Sequence, residues 1–305
     1  MIGMGAISGA RTKALFKGYR IRPLKRLGQI FLIDKGVIKR VIEAAQLSQN
    51  DIVLEIGPGI GNLTMELAKR VHPVKSSPSE VFAEGEQFNR VKKVIAVEKD
   101  PKLVEILGDT LRYFDNIKII YGDILKIENW KLIENCKLEI GNSYKVVANL
   151  PFYLTAPVIR KFLESKNPPK EMTLIVQKEV GQRIVARPPD MNLLAISVQF
   201  YAKPEIVSYI SKKSFWPQPK VDSAILRITQ IHADTKTDSH RFFKIVRAGF
   251  SQPRKQLINN LSKGLGLERN KAEKWLLKNG IQPSQRAETL SIGDWINLLQ
   301  SCRIK

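Results

Sequence analysis

The residues best suited to chemistry are the four from Asn149 to Phe152, which read Asn-Leu-Pro-Phe. The side-chain carbonyl of Asn149 and the backbone carbonyl of Leu150 are two hydrogen-bond acceptors, and Pro151 fixes the backbone so that both point one way. Such a pair can bind both N–H groups of an exocyclic amine such as adenine N6, while the Phe152 ring stacks on the base. This localises the nitrogen lone pair for attack on a methyl donor. A simple turn after a buried strand is the alternative.

The two cysteines restrict the other chemistry open to a base-modifying protein. Methylation of cytosine at C5 requires a cysteine nucleophile, and neither Cys136 nor Cys302 lies in a loop that could supply one. Neither stands near a second Cys or a His, which indicates a reducing compartment and no zinc site. The expected acceptor is therefore an exocyclic amine, whose attack needs positioning and no covalent enzyme intermediate.

A glycine-rich stretch predicts where the methyl donor binds. Residues 52–56 form an apolar run that only Glu55 interrupts, as expected for a strand covered on both faces. Gly57, Gly59 and Gly61 then allow a sharp turn and a close approach to a ligand. Their Gly-x-Gly-x-Gly spacing differs from the Gly-x-Gly-x-x-Gly of pyrophosphate-binding turns and suits S-adenosylmethionine better. A tight connection without a ligand is the alternative.

Two acids follow the next two predicted strands. Glu98 ends the strand 94–97, where such folds hold ribose hydroxyls, and Asp123 follows the strand 117–121. The carboxyl ends of parallel strands share one edge of a sheet, so both acids suit one ligand that carries a ribose and an adenine amino group. Capping of the next helix is the alternative for Asp123. An insertion at 72–92 accounts for the long interval between the glycines and Glu98.

The composition indicates a partner for this chemistry. The chain has 305 residues, which favours two domains, and a net charge of +21. This excess points to a polyanion, although a solvated basic surface is the alternative. Seven Lys or Arg and no acid precede Asp34, either as a targeting segment or as an RNA-contacting arm. No stretch approaches a membrane span, so we expect no membrane association and a cytoplasmic protein.

The remaining patterns predict helices and a division into domains. Asp34 is expected to cap a helix over 37–45, Asn62 or Thr64 to satisfy N–H groups of the helix after the glycines, and Thr155 to cap another. From 236 onward the pattern is helical, with 14 Lys and Arg against five acids. We therefore predict a basic N-terminal arm (1–26), a methyltransferase domain (27–235) and a helical RNA-contacting domain (236–305) that forms one wall of a basic cleft.

Several of these motifs together resemble one family. They are Gly28-Gln-Ile-Phe-Leu32, Glu55-Ile-Gly-Pro-Gly59, Glu98, Gly122-Asp123, Asn149-Leu-Pro-Phe152, Gln177-Lys-Glu-Val180 and Phe215-Trp-Pro-Gln-Pro-Lys-Val-Asp-Ser223. In this order, from about residue 20 to the C-terminus, they are similar to the bacterial small-subunit ribosomal RNA adenine dimethyltransferases. The resemblance implies an α/β fold, a Rossmann-like S-adenosylmethionine-dependent methyltransferase sheet followed by a small all-helical C-terminal domain.

The same resemblance implies an activity. This is the N6,N6-dimethylation of two adjacent adenosines near the 3′ end of small-subunit (16S) ribosomal RNA during ribosome maturation, with S-adenosyl-L-methionine as cofactor. An immature 30S-type particle is the implied partner, and neither a metal nor an oligomer is required. Two alternatives stay open, namely a methyltransferase of large-subunit RNA adenine N6 and a non-catalytic RNA-binding or assembly factor on the same fold.

Site residues are also implied by the resemblance. It places Gln29, Ile30 and Leu32 by the methionine end of the cofactor, with Gly57 and Gly59 beneath it, Glu98 on the ribose, and Asp123 and Ile124 on the adenine. Asn149, Leu150, Pro151 and Phe152 take the target base, and Asn149 also adjoins the cofactor. Three features depart from the family pattern: Ile30 replaces Asn, Phe152 replaces the commoner Tyr, and the 72–92 loop is longer. At Ile30 only the backbone is left to contact the cofactor.

Overall fold

The computed structural model describes residues 9–69, 91–127, 144–232 and 238–302. The predicted insertion at 72–92 lies almost wholly outside these ranges, as does Cys136. The chain forms two compact units, Met1–Gly181 with Glu205–Ile231 and Gln182–Pro204 with His232–Lys305. Residues 182–204 thus belong to the same compact unit as the C-terminal helices, whereas the sequence-based division placed them in the domain of the sheet. The functional division at 236 stays a prediction.

The described residues include nine strands. They are β1 Phe31–Leu32, β2 Ile52–Ile56, β3 Lys93–Glu98, β4 Ile117–Tyr121, β5 Tyr144–Asn149, β6 Glu171–Gln177, β7 Lys203–Ile210, β8 Phe215–Trp216 and β9 Ser223–Thr229. Seven of them form one sheet in the order β4-β3-β2-β5-β6-β9-β7, and β1 pairs with β8. Strands β2 to β6 pair in parallel, and β9 runs antiparallel to β6. The predicted, mainly parallel sheet is confirmed.

The sheet order creates a crevice beside its central strand. Strand β2 has parallel neighbours on both sides, β3 and β5. The chain continues from β2 to β3 on one side, and only later returns to place β5 on the other. At such a switch point the loops after the two strands leave in opposite directions and open a ligand-sized gap. The glycine turn after β2 and the turn that begins at Asn149 after β5 border this gap.

Helices cover the faces of the sheet and explain its apolar strands. In the first unit they are α1 Gly9–Gly18, α2 Lys35–Ala44, α3 Asn62–Lys69, α4 Pro101–Leu111, α5 Thr155–Leu163 and α6 Lys178–Ile184, which extends into the second unit. Every residue of β2 is buried, including Glu55. Edge strand β7 instead alternates exposed and partly buried residues over most of its length. The two patterns are those of a central and an edge strand.

One predicted helix cap is confirmed and one is wrong. Asp34 accepts hydrogen bonds from the first turn of α2, at Gly36 N (2.9 Å) and Val37 N (3.1 Å). Asn62 is already the first residue of α3, and its Nδ2 donates to the Leu32 carbonyl. The predicted cap at Thr155 is wrong, because Thr155 lies inside its helix and its buried Oγ1 has no hydrogen-bond partner. A polar side chain before a helix thus predicts an end only to within one or two residues.

Helix α1 lies within the segment predicted to be a basic arm. Its buried residues are Thr12, Leu15 and Phe16. The Phe16 ring contacts the rings of Phe31 and Trp216 at centroid distances of 5.1 and 5.0 Å. The described part of the arm is therefore anchored on the β1–β8 pair. Phe215 is 3% exposed and belongs to the hydrophobic core.

The second unit is mainly helical, as predicted for the C-terminal part. Its further helices are α7 Leu193–Gln199, α8 Ser239–Gly249, α9 Leu257–Leu265, α10 Arg269–Lys278 and α11 Ile292–Ser301. Phe242 and Trp295 are fully buried at its centre. Phe242 stacks on Phe200 at 4.1 Å, which ties α8 to the end of α7. Within the described ranges, no helix has the length and apolar character to cross a membrane.

Candidate active site

One cavity at the carboxyl ends of the parallel strands brings the predicted site residues together. Its lining includes Gln29, Ile30, Leu32, Gly57, Gly59, Glu98, Asp123, Ile124, Asn149, Leu150, Pro151 and Phe152. These residues come from separate segments that lie in or next to β1, β2, β3, β4 and β5. The structure therefore collects all twelve at the crevice beside β2. Their individual roles stay predictions.

The glycine turn forms the floor of the cavity. Gly57, Gly59 and Gly61 have positive φ angles of 66°, 62° and 85°, which other residues adopt only with strain. A Cβ on Gly59 would also lie 3.0 Å from the Phe31 ring, whereas one on Gly57 would meet nothing nearer than 3.9 Å. The missing Cβ of Gly57 thus leaves open space above the backbone. This turn fits a ligand that rests directly on the main chain.

Glu98 is the most firmly held acid of the cavity. Its Oε1 accepts hydrogen bonds from the backbone N–H groups of Lys99 and Asp100, both at 2.8 Å. Its Oε2 accepts one from Gly59 N at 3.2 Å, which ties the end of β3 to the glycine turn. Burial raises the pKa of Glu98 even though these three bonds oppose that shift. A carboxylate has about four acceptor positions, so this one retains acceptor capacity for a ligand hydroxyl.

Asp123 is held in a different way. Lys99 Nζ donates to its Oδ2 at 2.8 Å, and this bond lowers the pKa of Asp123 despite partial burial. Its Oδ1 accepts from Leu125 N at 3.0 Å, which stabilises the turn after β4. With these two hydrogen bonds in place, the Asp123 carboxylate still lines the cavity. A ligand amine that binds Asp123 would compete with the exposed Lys99 side chain.

Gln29 serves as a brace between two segments. Its Oε1 accepts from Leu24 N and its Nε2 donates to Asp100 Oδ2, both at 2.7 Å. Asp100 in turn caps helix α4 by accepting from Lys102 N. Both ends of the Gln29 amide are therefore bonded within the protein. Gln29 lines the cavity, but its amide group is hydrogen-bonded to other residues of the protein.

Asn149 is oriented by the backbone of Ile30. Asn149 Nδ2 donates to the Ile30 carbonyl at 2.9 Å, and no described residue donates to its Oδ1. The Leu32 carbonyl similarly accepts from Asn62 Nδ2 at 2.7 Å. Since Ile30 contributes a backbone group, the departure from the family Asn leaves this contact intact. The Asn149 carbonyl is thereby kept as a free acceptor, as the predicted chemistry needs.

The turn after Asn149 presents aromatic rings at the cavity. Leu150 is buried, Phe152 is half-buried and begins a single 3₁₀ turn, Phe152–Leu154, and Tyr153 is 53% exposed. A Cβ on Gly28 would lie 3.3 Å from the Tyr153 ring, so the absence of a side chain at Gly28 leaves room for this ring. Tyr153 is a site residue that the sequence reasoning missed. Its position directly after the predicted tetrapeptide was the available signal.

Two further residues of the cavity were also missed. Lys99 covers Asp123, and its place directly after Glu98 was the signal for it. Glu55 lines the cavity from within β2, whereas the sequence reasoning counted it in the motif Glu55–Gly59 and gave it no role in the site.

Comparisons with known proteins agree with this architecture. A family model described as ribosomal RNA adenine dimethylase matches residues 22–77 and 85–303. A protein of Dehalococcoides mccartyi named ribosomal RNA small subunit methyltransferase A is 40% identical over 294 residues, which cover 95% of this chain and 91% of the relative. A protein of the same name from Geobacillus thermodenitrificans is 39% identical and covers 94% of each chain.

Two solved structures share the fold. A dimethyladenosine transferase from Plasmodium falciparum has a TM-score of 0.67 at 24% identity, over 88% of this chain and 95% of its own. The 23S rRNA methyltransferase ErmE has a TM-score of 0.66 at 23% identity, over 89% of this chain and 98% of its own. These likenesses confirm the predicted fold class.

The sheet and its glycine turn form the Rossmann-like fold that the two solved structures share, and the family match identifies the chain as an S-adenosylmethionine-dependent methyltransferase. Its substrate class follows from the extended sequence match. The chain belongs to the ribosomal RNA adenine dimethylase family, because that family's model covers most of its length and relatives at about 40% identity cover nearly all of it. The predicted family and enzyme class are confirmed.

Proposed function

We propose that this enzyme dimethylates N6 of two adjacent adenosines near the 3′ end of small-subunit ribosomal RNA, within an immature 30S-type particle. The observation that carries this proposal is the Asn149 side chain, whose nitrogen is bonded to Ile30 and whose oxygen is left free at the cavity. The names of the Dehalococcoides and Geobacillus relatives support the small-subunit target. A cytoplasmic location follows from that ribosomal substrate.

The roles that we propose for the cofactor half of the cavity are those the resemblance implies, and the geometry of the lining residues supports them. Glu98 accepts hydrogen bonds from the ribose, Asp123 accepts from the adenine amino group, and Ile124 packs on that adenine. Gln29, Ile30 and Leu32 border the methionine end, above the backbone of Gly57 and Gly59. The open space over Gly57 and the buried acceptors around it fit S-adenosylmethionine. When bound, this cofactor supplies the methyl group.

The base half of the cavity then activates the acceptor nitrogen. Asn149 Oδ1 and the Leu150 carbonyl accept both N6 protons, which concentrates electron density on the nitrogen, while Pro151 fixes the turn. The Phe152 ring stacks on the flipped adenine and contributes about 1 to 3 kcal/mol. After the first methylation one N–H remains, and the absence of a hydroxyl on Phe152 leaves room for the monomethylated amine to turn.

A wider basic surface holds the RNA. Arg254 and Lys255 are exposed in the helical unit, where Lys and Arg greatly outnumber acids. Such side chains neutralise phosphates, and binding that depends on them weakens as salt concentration rises. We assign residues 236–305 to RNA contact, and the segment before residue 27 contributes further basic residues.

Methyl transfer to purified ribosomal particles tests the proposed function. Wild-type enzyme with labelled cofactor should give N6,N6-dimethyladenosine in immature small subunits, identified by mass spectrometry of the nucleosides. Methylation confined to large-subunit RNA would support the sister activity, and RNA binding without any methylation would support an assembly factor. Methyl groups found only on cytosine or guanine would refute the proposed chemistry.

A further inference from the structure

An aromatic ring at the mouth of the cavity has no role in the proposed function. Tyr153 lines the cavity, yet it is 53% exposed. Within the described parts of the chain its ring contacts no other aromatic ring, and its hydroxyl makes no hydrogen bond. Buried tyrosine hydroxyls usually find a partner, and this one is instead left in contact with solvent. Both the ring and the hydroxyl are therefore open to a ligand that enters the cavity.

The surrounding backbone gives this ring a defined position. Tyr153 is the middle residue of the 3₁₀ turn Phe152–Leu154, which closes when Leu154 N donates to the Pro151 carbonyl at 2.8 Å. On one side the ring lies against Gly28, where a Cβ would be 3.3 Å from it. Gly28 also has a φ angle of 59°, so both its conformation and the ring favour glycine there. The ring is thus held in place without being covered.

The same turn directs two neighbouring rings to different places. A 3₁₀ helix has three residues per turn, so consecutive side chains diverge by about 120°. Phe152 is half-buried in the cavity, where we propose that it stacks on the target adenine, whereas Tyr153 is exposed. One base cannot lie flat on two rings that diverge in this way. If Tyr153 stacks on a base, that base is a second one.

Two basic side chains lie beside the Tyr153 ring. Lys99 lines the cavity, and Arg26 immediately precedes the cavity-lining residues 27–32; both are exposed. The hydrogen bond to Asp123 raises the pKa of Lys99, and Tyr153 and Arg26 lie close enough to the same ammonium to add smaller shifts, upward and downward respectively. Proteins bind single-stranded nucleic acid with this combination, a base on the ring and a phosphate against the cations.

The proposed substrate supplies a second base. Two adjacent adenosines are methylated, but the cavity offers one pair of acceptors, Asn149 Oδ1 and the Leu150 carbonyl, for one amine at a time. While one adenosine reacts, the other lies outside the pocket, one backbone linkage away. Tyr153 is one residue along the chain from Phe152 and points away from it, toward the mouth.

We propose that Tyr153 is a further RNA-binding residue of the active site, whose ring stacks on the adenosine adjacent to the one in the pocket. The inference rests on the proposed function, since it needs two adjacent adenosines. Arg26 and Lys99 then face the phosphate that links the two nucleosides. No bond forms or breaks at Tyr153, which acts by holding the strand while its neighbour is flipped.

Substitution of the ring is the first test. With immature small subunits as substrate, Tyr153→Ala should lower kcat/KM roughly 5- to 150-fold, which corresponds to stacking worth about 1 to 3 kcal/mol per base. The dissociation constant for S-adenosylmethionine should change by less than about twofold. Tyr153→Phe and Tyr153→Trp keep an aromatic face and should retain most of the activity. Tyr153→Leu keeps apolar bulk only and should lose most of it; full activity in this variant would refute stacking.

Removal of the neighbouring base is the second test. Small subunits are reassembled with RNA in which one of the two adenosines lacks its base, and methylation of the other is measured. If Tyr153 stacks on the missing base, wild type should lose about as much as Tyr153→Ala loses on intact RNA, and the variant should lose little more. Because an RNA strand has a direction, the second adenosine lies on the Tyr153 side for only one of the two targets. Additive losses with both abasic RNAs would overturn the proposal.

A matched tyrosine controls for the loss of any exposed ring. Tyr209 on β7 is 49% exposed, has Lys178 Nζ 5.0 Å from its ring centre and does not line the cavity. Tyr209→Ala should keep kcat/KM within about twofold of wild type, as expected of a surface substitution away from the site. Equal losses in Tyr209→Ala and Tyr153→Ala would contradict a specific stack at the cavity.

The remaining outcomes distinguish this inference from the proposed function. If wild type transfers no methyl groups to small subunits, the proposed function fails. If wild type is active and Tyr153→Ala matches it, or if a weakened cofactor affinity accounts for the whole loss, only the role of Tyr153 fails. Should Tyr153→Ala not fold, wild type on the two abasic RNAs still decides the question, because no loss on either one would overturn the stack.

Discussion

The two halves of the cavity differ in how their polar groups are satisfied. In the cofactor half, Glu98 accepts three backbone hydrogen bonds and the Gln29 amide is bonded at both ends. In the base half, the Asn149 oxygen receives no bond from any described residue, and the Tyr153 ring is half exposed. One half is thus already organised by the protein, while the other leaves acceptors and ring faces for a substrate.

This difference indicates how each half contributes to the reaction. Groups that the protein already holds need no rearrangement when a small ligand binds, so they favour affinity. Acceptors that stay free until the substrate arrives act on the reacting nitrogen itself, so they favour rate. Substitutions in the two halves should therefore affect different kinetic constants.

The largest effect is expected at Asn149. Asn149→Ala removes an acceptor of the reacting amine, and loss of one such aligned group costs about 3 to 4 kcal/mol in the transition state, or roughly 10²- to 10³-fold in kcat. Cofactor affinity should change by less than about threefold. Single-turnover methylation and calorimetry measure the two quantities. Ile30→Ala, which keeps the backbone carbonyl that orients Asn149, is the control and should retain most of the rate.

A smaller effect, mainly on affinity, is expected at Glu98. Glu98→Gln weakens the charge-assisted bonds of the carboxylate, which are worth about 1.5 to 3 kcal/mol each. Cofactor binding should weaken by roughly 10- to 100-fold. RNA affinity should stay nearly constant, because a carboxylate repels phosphates and its loss therefore removes no favourable RNA contact. Calorimetry with the cofactor and filter binding with RNA test this. Unchanged cofactor affinity would remove Glu98 from the cofactor site.

The pH dependence of stability should reveal the buried Glu55. Burial raises its pKa to about 8 in the folded protein, from near 4.5 in the unfolded chain. The stability it contributes is therefore complete below pH 4.5 and is lost as pH rises toward 8. Relative to Glu55→Gln, the wild-type free energy of unfolding should fall by about 2 kcal/mol between pH 5 and pH 7. Denaturant unfolding at both pH values, without cofactor, measures this; parallel curves would refute the shifted pKa.

The smallest effect is expected at Asp123. This carboxylate already pairs with the exposed Lys99, so a bound adenine only replaces one partner with another. Asp123→Asn should weaken cofactor binding about threefold, which corresponds to a net hydrogen bond of ordinary strength. Lys99→Met removes the competitor and should leave the affinity equal or slightly higher. A loss at Asp123 as large as that at Glu98 would contradict the proposed order.

The sequence predicted the sheet and the position of the cavity because both depend on local patterns. Apolar runs such as 52–56 require burial, and the glycines that follow require positive φ angles. The strand-end acids then meet because parallel strands end at one edge of a sheet. Local patterns of this kind survive in a single sequence without any knowledge of the fold.

The features that sequence reasoning missed depend on contacts between distant residues. Asn62 looks like a helix cap, yet its amide binds Leu32, 30 residues away in the chain. The Glu55 carboxyl has no signal of its own, because its unusual state comes from the apolar residues on adjacent strands. Such effects require the three-dimensional arrangement.

The pairing of β1 with β8 sets the order in which the enzyme can become functional during its synthesis. Ser214 Oγ, just before β8, donates to Asp34 Oδ2 across 180 residues of chain, and Phe215 completes the cavity wall. At about 5 to 20 residues per second, the ribosome needs roughly ten seconds or more to add these 180 residues. The glycine turn and both acids therefore leave the ribosome well before the wall that closes the cavity beside them. A nascent chain cannot gain the full stabilisation of a bound cofactor until that late segment has emerged.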